Sequence, residues 1–174
     1  MPARDKIILA LDVDDPDYAI EIVERFSGHI NTFKVGLELF TAAGPSVVRA
    51  IHDRGKRVFL DLKFHDIPTT VAKAAAAATL LGVFMFNVHV SGGTEALKRC
   101  AGAVTETCLK ENLPKPLVLG VTVLTSIGQQ TLHDEFGVQH SLRTHVKHFA
   151  VLAASSGLDG VVASGHEVEM IKQH

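Results

Sequence analysis

The segment DLKFHDIP, residues 61–68, places a lysine between two aspartates at the end of an apolar run. Asp61 and Lys63 are two residues apart, and because side chains alternate along a strand, both are expected on the same face. Charged groups that point into the interior of a sheet are costly unless they are paired or functional. The spacing therefore makes this segment the strongest candidate for a chemical site.

Two further charged residues lie at or near the ends of upstream apolar runs, namely Asp12 and Lys34. The carboxyl ends of barrel strands meet at one mouth, so these residues, Asp61 and Lys63 are predicted to form an array of acids and lysines there. A lysine ammonium stabilises a developing carbanion and then protonates it. A carboxylate beside a substrate carboxylate disfavours the ground state relative to the transition state that loses CO2. The array therefore suits decarboxylation.

Each candidate also has a structural interpretation. Asp12 and Asp66 suit caps or turns before the helices that follow them, and Lys34 has a stem long enough to reach the rim. Thr125 suits a loop hydroxyl without a role. The segment Ser91-Gly92-Gly93 suits either a phosphate at a helix N-terminus or an ordinary turn. Each of these structural interpretations is reasonable by itself. We do not expect all of them to hold at once for residues at successive strand ends.

Short apolar runs alternate with helical patterns along the whole chain. The predicted strands are 6–12, 31–36, 57–63, 83–90, 117–124 and 158–163. The predicted helices are 16–28, 45–54, 68–81, 94–110, 141–155 and one that begins at Glu167. Asp14 or Asp15 is the predicted cap of the first helix, with Pro16 in its first turn.

This alternation predicts an α/β fold whose parallel sheet is covered by helices. The first predicted strand runs into Asp12-Val13-Asp14-Asp15-Pro16 without a glycine, which disfavours a doubly wound sheet, and polar strand ends favour a TIM (β/α)8 barrel. Such a barrel usually needs roughly 200 residues or more. We therefore expect residues 1–174 to form a single domain with about six βα units, apparently lacking its C-terminal ones.

Composition excludes several classes of partner. The chain is 47% hydrophobic and 21% charged with a formal net charge of −2, which is ordinary for a globular protein and does not favour nucleic acid. No apolar run is long enough to span a membrane, and no signal segment opens the chain. Cys100 and Cys108 lie roughly 12 Å apart on a helix, too far for a disulfide, so reduced thiols and a cytoplasmic location are predicted. The ten histidines show no metal-ligand spacing.

The chain resembles the bacterial orotidine 5′-phosphate decarboxylases from its start to its end. The motifs that carry the resemblance, in the family's order, are ILALD (8–12), FKVG (33–36), DLKFHDIP (61–68), NVH (87–89) and VTVLTS (121–126). The D-x-K-x-x-D block with an upstream lysine at a strand end is the most specific of them. The resemblance implies a (β/α)-barrel that converts orotidine monophosphate to UMP without a metal or cofactor.

The resemblance also implies roles for the matching residues. Lys63 is the proton donor to C6 of the pyrimidine, and Asp61 is the carboxylate beside the departing CO2. Lys34 and Asp12 hold the ribose hydroxyls and complete the charge array. Thr125 contacts the pyrimidine ring.

Three further residues, Asp66, Ile67 and Thr70, are implied to reach into the active site of a partner subunit. This implies a homodimer with shared sites. Charge and hydropathy predict that it binds no nucleic acid and no membrane. The family's phosphate-binding glutamine and arginine correspond to positions beyond His174. A protein that ended there is expected to have severely reduced activity, because remote phosphate binding supplies energy for the chemical step.

Two rival interpretations remain. The 3-hexulose-6-phosphate synthases and 3-keto-L-gulonate-6-phosphate decarboxylases carry a similar D-x-K-x-x-D but use Mg²⁺, held partly by a glutamate on the second strand. Lys34 occupies that position here, and a cation beside Asp61 competes with the metal and removes an oxygen ligand. The second rival is a non-catalytic fragment or binding protein that keeps the residues of the nucleotide site.

Overall fold

The computed structural model describes residues 5–173, in which strands alternate with helices. The strands are β1 (Ile8–Leu11), β2 (Thr32–Gly36), β3 (Arg57–Phe64), β4 (Met85–His89), β5 (Leu117–Val121) and β6 (Gly160–Val162). The helices are α1 (Pro16–Phe26), α2 (Leu37–Ala43), α3 (Pro45–His52), α4 (Pro68–Leu80), α5 (Gly93–Glu111), α6 (Gln129–Asp134), α7 (Leu142–Ser155) and α8 (Val168–Lys172). A short 3-10 turn, Val90–Gly92, follows β4. None of the described helices is both long and apolar enough to cross a membrane.

The six strands belong to one sheet and follow one another in chain order. A doubly wound sheet reverses its strand order at a switch point, whereas a barrel places each strand beside the previous one. The order therefore confirms the predicted barrel topology, with six βα units in this chain. Residues 5–62, 75–86 and 104–116 form one compact unit, and residues 63–74, 87–103 and 117–173 form another. A single domain stays a prediction.

In the first unit, parallel pairing connects β1 to β2 and β2 to β3. Leu11 pairs with Val35, and Gly36 pairs with Asp61, so the carboxyl ends of the three strands are in register. Helix α1 begins where Asp15 accepts a hydrogen bond from the Asp17 N–H at 2.9 Å, which confirms one of the two predicted caps. This register brings the residues at the strand ends together.

In the second unit, β5 and β6 pair in parallel and helix α7 packs against both. Gly120 allows the close approach, because a Cβ at this position would lie 2.7 Å from Val90 Cγ2 and 3.0 Å from Ala153 Cβ. Asp159 closes the edge of this pair: its backbone N–H donates to the Val118 carbonyl, and its carboxylate accepts from the Val118 N–H. The result is a tightly packed support for the loop after β5.

Several predicted boundaries are wrong by one to three residues. The predicted strands 83–90 and 117–124 are longer than β4 and β5, because buried residues continue past the paired segment. Val83, Val90 and Thr122, for example, are at most 4% exposed although none belongs to a strand. Helices α2 and α6 were not predicted. Both cysteines are free, as predicted, and Cys100 is buried.

Candidate active site

Three of the predicted site residues form a cluster of charges in the first unit, which we call the strand-end cluster. Lys34 in β2 extends its Nζ to within 2.8 Å of Asp12 Oδ1, one residue beyond β1. The same Nζ lies 3.5 Å from Asp61 Oδ2 in β3. One ammonium therefore stands between two carboxylates, which is the predicted arrangement of these three residues.

The strand-end cluster is partly sheltered from water. The side chains of Lys34 and Asp61 are 20% and 13% exposed, whereas that of Asp12 is 69% exposed. Gly36 leaves room for the ammonium, because a Cβ there would lie 3.3 Å from Lys34 Nζ and 3.7 Å from Asp12 Oδ1. Partial burial strengthens the attraction between unlike charges relative to bulk water. The cluster is thus a fixed set of charges with one carboxylate open to solvent.

Lys63 lies in β3 with a backbone conformation that the sequence did not suggest. Its φ is +52°, in the left-handed region that residues other than glycine seldom adopt. Its backbone N–H donates to Asn87 Oδ1 at 2.8 Å. Side chains alternate strictly only where the backbone is extended at every residue, so alternation does not determine the direction of the Lys63 side chain. The side chain itself is half-buried.

Asp66, Ile67 and Thr70 lie where β3 leads into α4. Asp66 accepts a hydrogen bond from the adjacent Ile67 N–H at 2.7 Å, and Ile67, not Asp66, directly precedes the first helical residue, Pro68, so Asp66 is not the helix cap. Thr70 donates its N–H to the Ile67 carbonyl in the first turn. Ile67 is 67% exposed, a large apolar side chain in water. The capping interpretation of Asp66 is therefore wrong.

Thr125 is exposed in the loop that follows β5. Its neighbours Thr122, Val123 and Leu124 line a cavity of about 430 Å³ in the second unit, and His65 and His89 line another part of its wall. Most of the remaining wall is apolar, with Phe136 and Phe149 among its side chains. Such a mixture of apolar walls and a few polar groups is typical of small-molecule pockets.

His65 and His89 form a pair that the sequence did not predict. Their ring centroids lie 5.0 Å apart, and Ser91 Oγ lies 3.4 Å from His65 Nε2. Burial lowers the pKa of His89, and the positive charges of His65 and Lys63 lower it further. His89 is therefore mostly neutral at neutral pH.

The model of the orotidine 5′-phosphate decarboxylase / HUMPS family matches residues 5–174. The chain belongs to this family. It is 50% identical to the orotidine 5′-phosphate decarboxylase of Moorella thermoacetica, over 99% of this chain and 69% of that protein. It is 53% identical to that of Syntrophotalea carbinolica, over 98% of this chain and 70% of that protein. These matches confirm the resemblance drawn from the motifs.

A solved structure supports the same fold. The crystal structure of orotidine 5′-phosphate decarboxylase from Lactobacillus acidophilus superimposes with a TM-score of 0.90 at 34% identity. The match covers 98% of this chain and 76% of that one. The fold of this family member is therefore the (β/α)-barrel fold, represented here by six βα units.

Two residues of the site region had no role in the sequence interpretation. Asn87 belongs to the NVH motif, and its signal was a polar residue inside an apolar strand, where burial demands a hydrogen-bond partner. Gly36 belongs to the FKVG motif, and its signal was a glycine as the last residue of the strand that carries Lys34. In both cases the sequence shows the motif, but only the structure shows the contact that the residue makes with Lys63 or Lys34.

Proposed function

We propose that this protein decarboxylates orotidine 5′-phosphate to UMP, a step of pyrimidine biosynthesis, without a metal or cofactor. The strand-end cluster of Asp12, Lys34 and Asp61 is the observation that carries the proposal. Partly burying an ammonium and a carboxylate costs desolvation energy, so such a cluster indicates a function that uses its charges. Membership of the family and the printed names of the relatives support the same activity.

In the proposed reaction the bond between C6 and the carboxylate carbon breaks, and CO2 leaves without its electron pair. The pair remains on C6, where the Lys63 ammonium stabilises it and then transfers a proton to it. Asp61 stands beside the departing carboxylate and raises the energy of the charged ground state relative to the transition state. Lys34 and Asp12 bind the ribose hydroxyls, and Thr125 contacts the pyrimidine.

The Mg²⁺-dependent rival is disfavoured by the side chains present. A magnesium ion requires oxygen ligands around Asp61, and the nearest charged neighbour of that carboxylate in β2 is the ammonium of Lys34. An ammonium supplies no oxygen and repels a divalent cation. The charge pattern therefore favours the metal-free reaction.

The activity test is the loss of orotate absorbance when orotidine 5′-phosphate is added to the protein in the presence of EDTA. We expect turnover with EDTA and a loss of kcat of about 10⁴-fold in Lys63→Ala, the upper range for a general acid. The Lys63→Ala protein should remain folded by circular dichroism. Retained turnover in this variant would exclude Lys63 as the proton donor, and loss of wild-type turnover with EDTA would restore the metal-dependent rival.

We also propose that the chain forms a single catalytic domain and acts as a cytoplasmic homodimer with shared active sites. Asp66, Ile67 and Thr70 are exposed, which leaves them free to contact a partner subunit, and the reduced cysteines suit a cytoplasmic location.

The dimer is tested by mixing subunits. Lys63→Ala and Asp66→Ala proteins, each inactive alone, should regain up to about a quarter of the wild-type activity when subunits are exchanged, because half of the subunits pair as mixed dimers with one intact site each. Two copies of the same variant, mixed in the same way, are the control. Absence of any recovery after verified exchange would exclude sites shared through Asp66.

A further inference from the structure

Asn87 is a polar side chain in the middle of the apolar strand β4, and it is 1% exposed. Its Oδ1 accepts the hydrogen bond from the Lys63 backbone N–H at 2.8 Å. A buried side-chain amide is costly unless it is hydrogen-bonded, and the same holds for a buried peptide N–H. The two groups therefore satisfy each other across neighbouring strands.

The residue held in this way is strained. Lys63 has φ +52°, which an L-residue with a long side chain adopts at a cost. Such conformations persist only where surrounding contacts determine them, and they concentrate at functional sites. The backbone angles of Lys63 set the direction of its Cα–Cβ bond, and hence the path of its side chain. A contact that holds the peptide N–H therefore also directs the ammonium.

We propose that Asn87 is a positioning residue for Lys63: its side-chain carbonyl fixes the strained backbone from which the ammonium reaches the reacting carbon. This inference rests on the proposed function, in which Lys63 protonates C6. Asn87 makes no proposed contact with the substrate. Its effect is on the chemical step, where a misplacement of about 1 Å costs on the order of 100-fold in rate.

The test compares Asn87→Leu with Thr79→Val. Leucine is close to asparagine in size but cannot accept the hydrogen bond. Thr79 is also 1% exposed, and its Oγ1 donates to the Ala75 carbonyl at 2.9 Å within α4, so its replacement removes a buried hydrogen bond away from the proposed site. We expect Asn87→Leu to lower kcat by about 100-fold per active site, with KM for orotidine 5′-phosphate within about twofold of wild type. Thr79→Val should keep wild-type kcat. The concentration of intact active sites in each variant, by which kcat is divided, is measured by titration with UMP.

A second readout does not depend on activity. In protein labelled with ¹⁵N-lysine, the Lys63 amide is identified by its disappearance in Lys63→Arg. Its hydrogen exchange should be slow in the wild type, because the N–H is bonded to Asn87, and at least about tenfold faster in Asn87→Leu. Thr79→Val should leave it slow.

The possible outcomes separate the inference from the function on which it rests. Fast exchange with unchanged kcat, or an equal loss of kcat in Thr79→Val, would show that Asn87 is only structural. Unchanged exchange in Asn87→Leu would show that the contact does not hold Lys63. A wild-type chain that does not turn over substrate overturns the proposed function and the catalytic part of this inference, while amide exchange still reports the contact itself.

Discussion

At the scale of single residues, Lys34 has the most demanding environment in the strand-end cluster. Its ammonium is close to two carboxylates, and one of them, Asp61, is mostly shielded from water. Removing the cation would leave two like charges facing each other in a medium of lower dielectric than water. Lys34 therefore matters both to the site and to the stability of the strand ends.

We expect Lys34→Met to lower kcat/KM by about 100-fold, since the variant loses the proposed hydrogen bond from a charged group to the ribose, which is worth up to about 3 kcal/mol. Steady-state kinetics measures the effect. Arg54→Met is the matched control, because it breaks the exposed contact of Arg54 Nη2 with Glu24 Oε1 at 2.6 Å. The control should change the free energy of unfolding by less than about 1 kcal/mol and leave kcat/KM unchanged. Equal losses of kcat/KM in Lys34→Met and Arg54→Met would contradict a role for Lys34 in the active site.

The two cysteines should differ in reactivity. Burial raises the pKa of Cys100 to about 12, and its side chain is fully buried, so it has almost no thiolate at pH 8. Cys108 is partly exposed. We expect one thiol per chain to react with a disulfide reagent in the folded protein and the second only after unfolding. Rapid reaction of both thiols would contradict the burial of Cys100.

The residues of the strand-end cluster could be predicted from sequence because each stands at or near the carboxyl end of a predicted strand. Parallel pairing then brings Asp12, Lys34 and Asp61 together without further information. The conformation of Lys63 could not be predicted in this way. It depends on a contact with Asn87, 24 residues along the chain, and no local pattern encodes that distance.

At the scale of elements, side-chain caps mark two of the helices that the sequence revealed. Helices α1 and α7 begin at Asp15 and Ser141, whose side chains accept hydrogen bonds from the first turn. Helices α2 and α6 begin after Gly36 and Gly128, which have no side chain to cap with, and are only seven and six residues long. Neither a cap nor length marked α2 and α6 in the sequence, and both were missed, whereas α3, which also lacks a side-chain cap, carries Pro45 in its first turn.

The packing of β5 gives a prediction at the same scale. A methyl group at Gly120 would lie 2.7 Å from Val90 Cγ2, 3.0 Å from Ala153 Cβ and 3.2 Å from Leu158 Cδ2. We expect Gly120→Ala to lower the free energy of unfolding by about 1–3 kcal/mol through overpacking.

Gly102→Ala is the matched control for Gly120→Ala. Gly102 lies within α5, and an added Cβ there would meet no atom within 4 Å. This change should raise the free energy of unfolding by about 0.5–1 kcal/mol, because alanine favours the helix. Urea denaturation measures both values. A neutral result for Gly120→Ala would mean that β5 and α7 separate easily.

At the scale of the whole molecule, three histidines link stability to pH. Burial lowers the pKa of His52, His89 and His145, with smaller opposing or reinforcing effects from neighbouring charges. Their ordinary value is about 6.5. The folded protein therefore binds fewer protons at these residues than the unfolded chain does, and stability is lost as the pH falls below about 6.5.

We expect the urea midpoint to be lower at pH 5.5 than at pH 7.5, and His145→Gln to reduce the difference. Gly102→Ala, which alters no titratable group, should leave the difference unchanged. Midpoints of both variants at the two pH values are the measurement. A midpoint that rose on acidification would mean that the buried histidines accept protons more readily in the folded state.

The order of the strands has a consequence for synthesis on the ribosome. Each strand lies beside its predecessor in the chain, as in the ladder that pairs Ile8 with Thr32. From β2 to β6, a strand that emerges from the exit tunnel therefore finds one neighbour already synthesised. Contacts between strands that are close together in the chain form over short loops, and they favour folding that proceeds from the N-terminus during translation. Nascent chains arrested after successive βα units should gain protease resistance in steps.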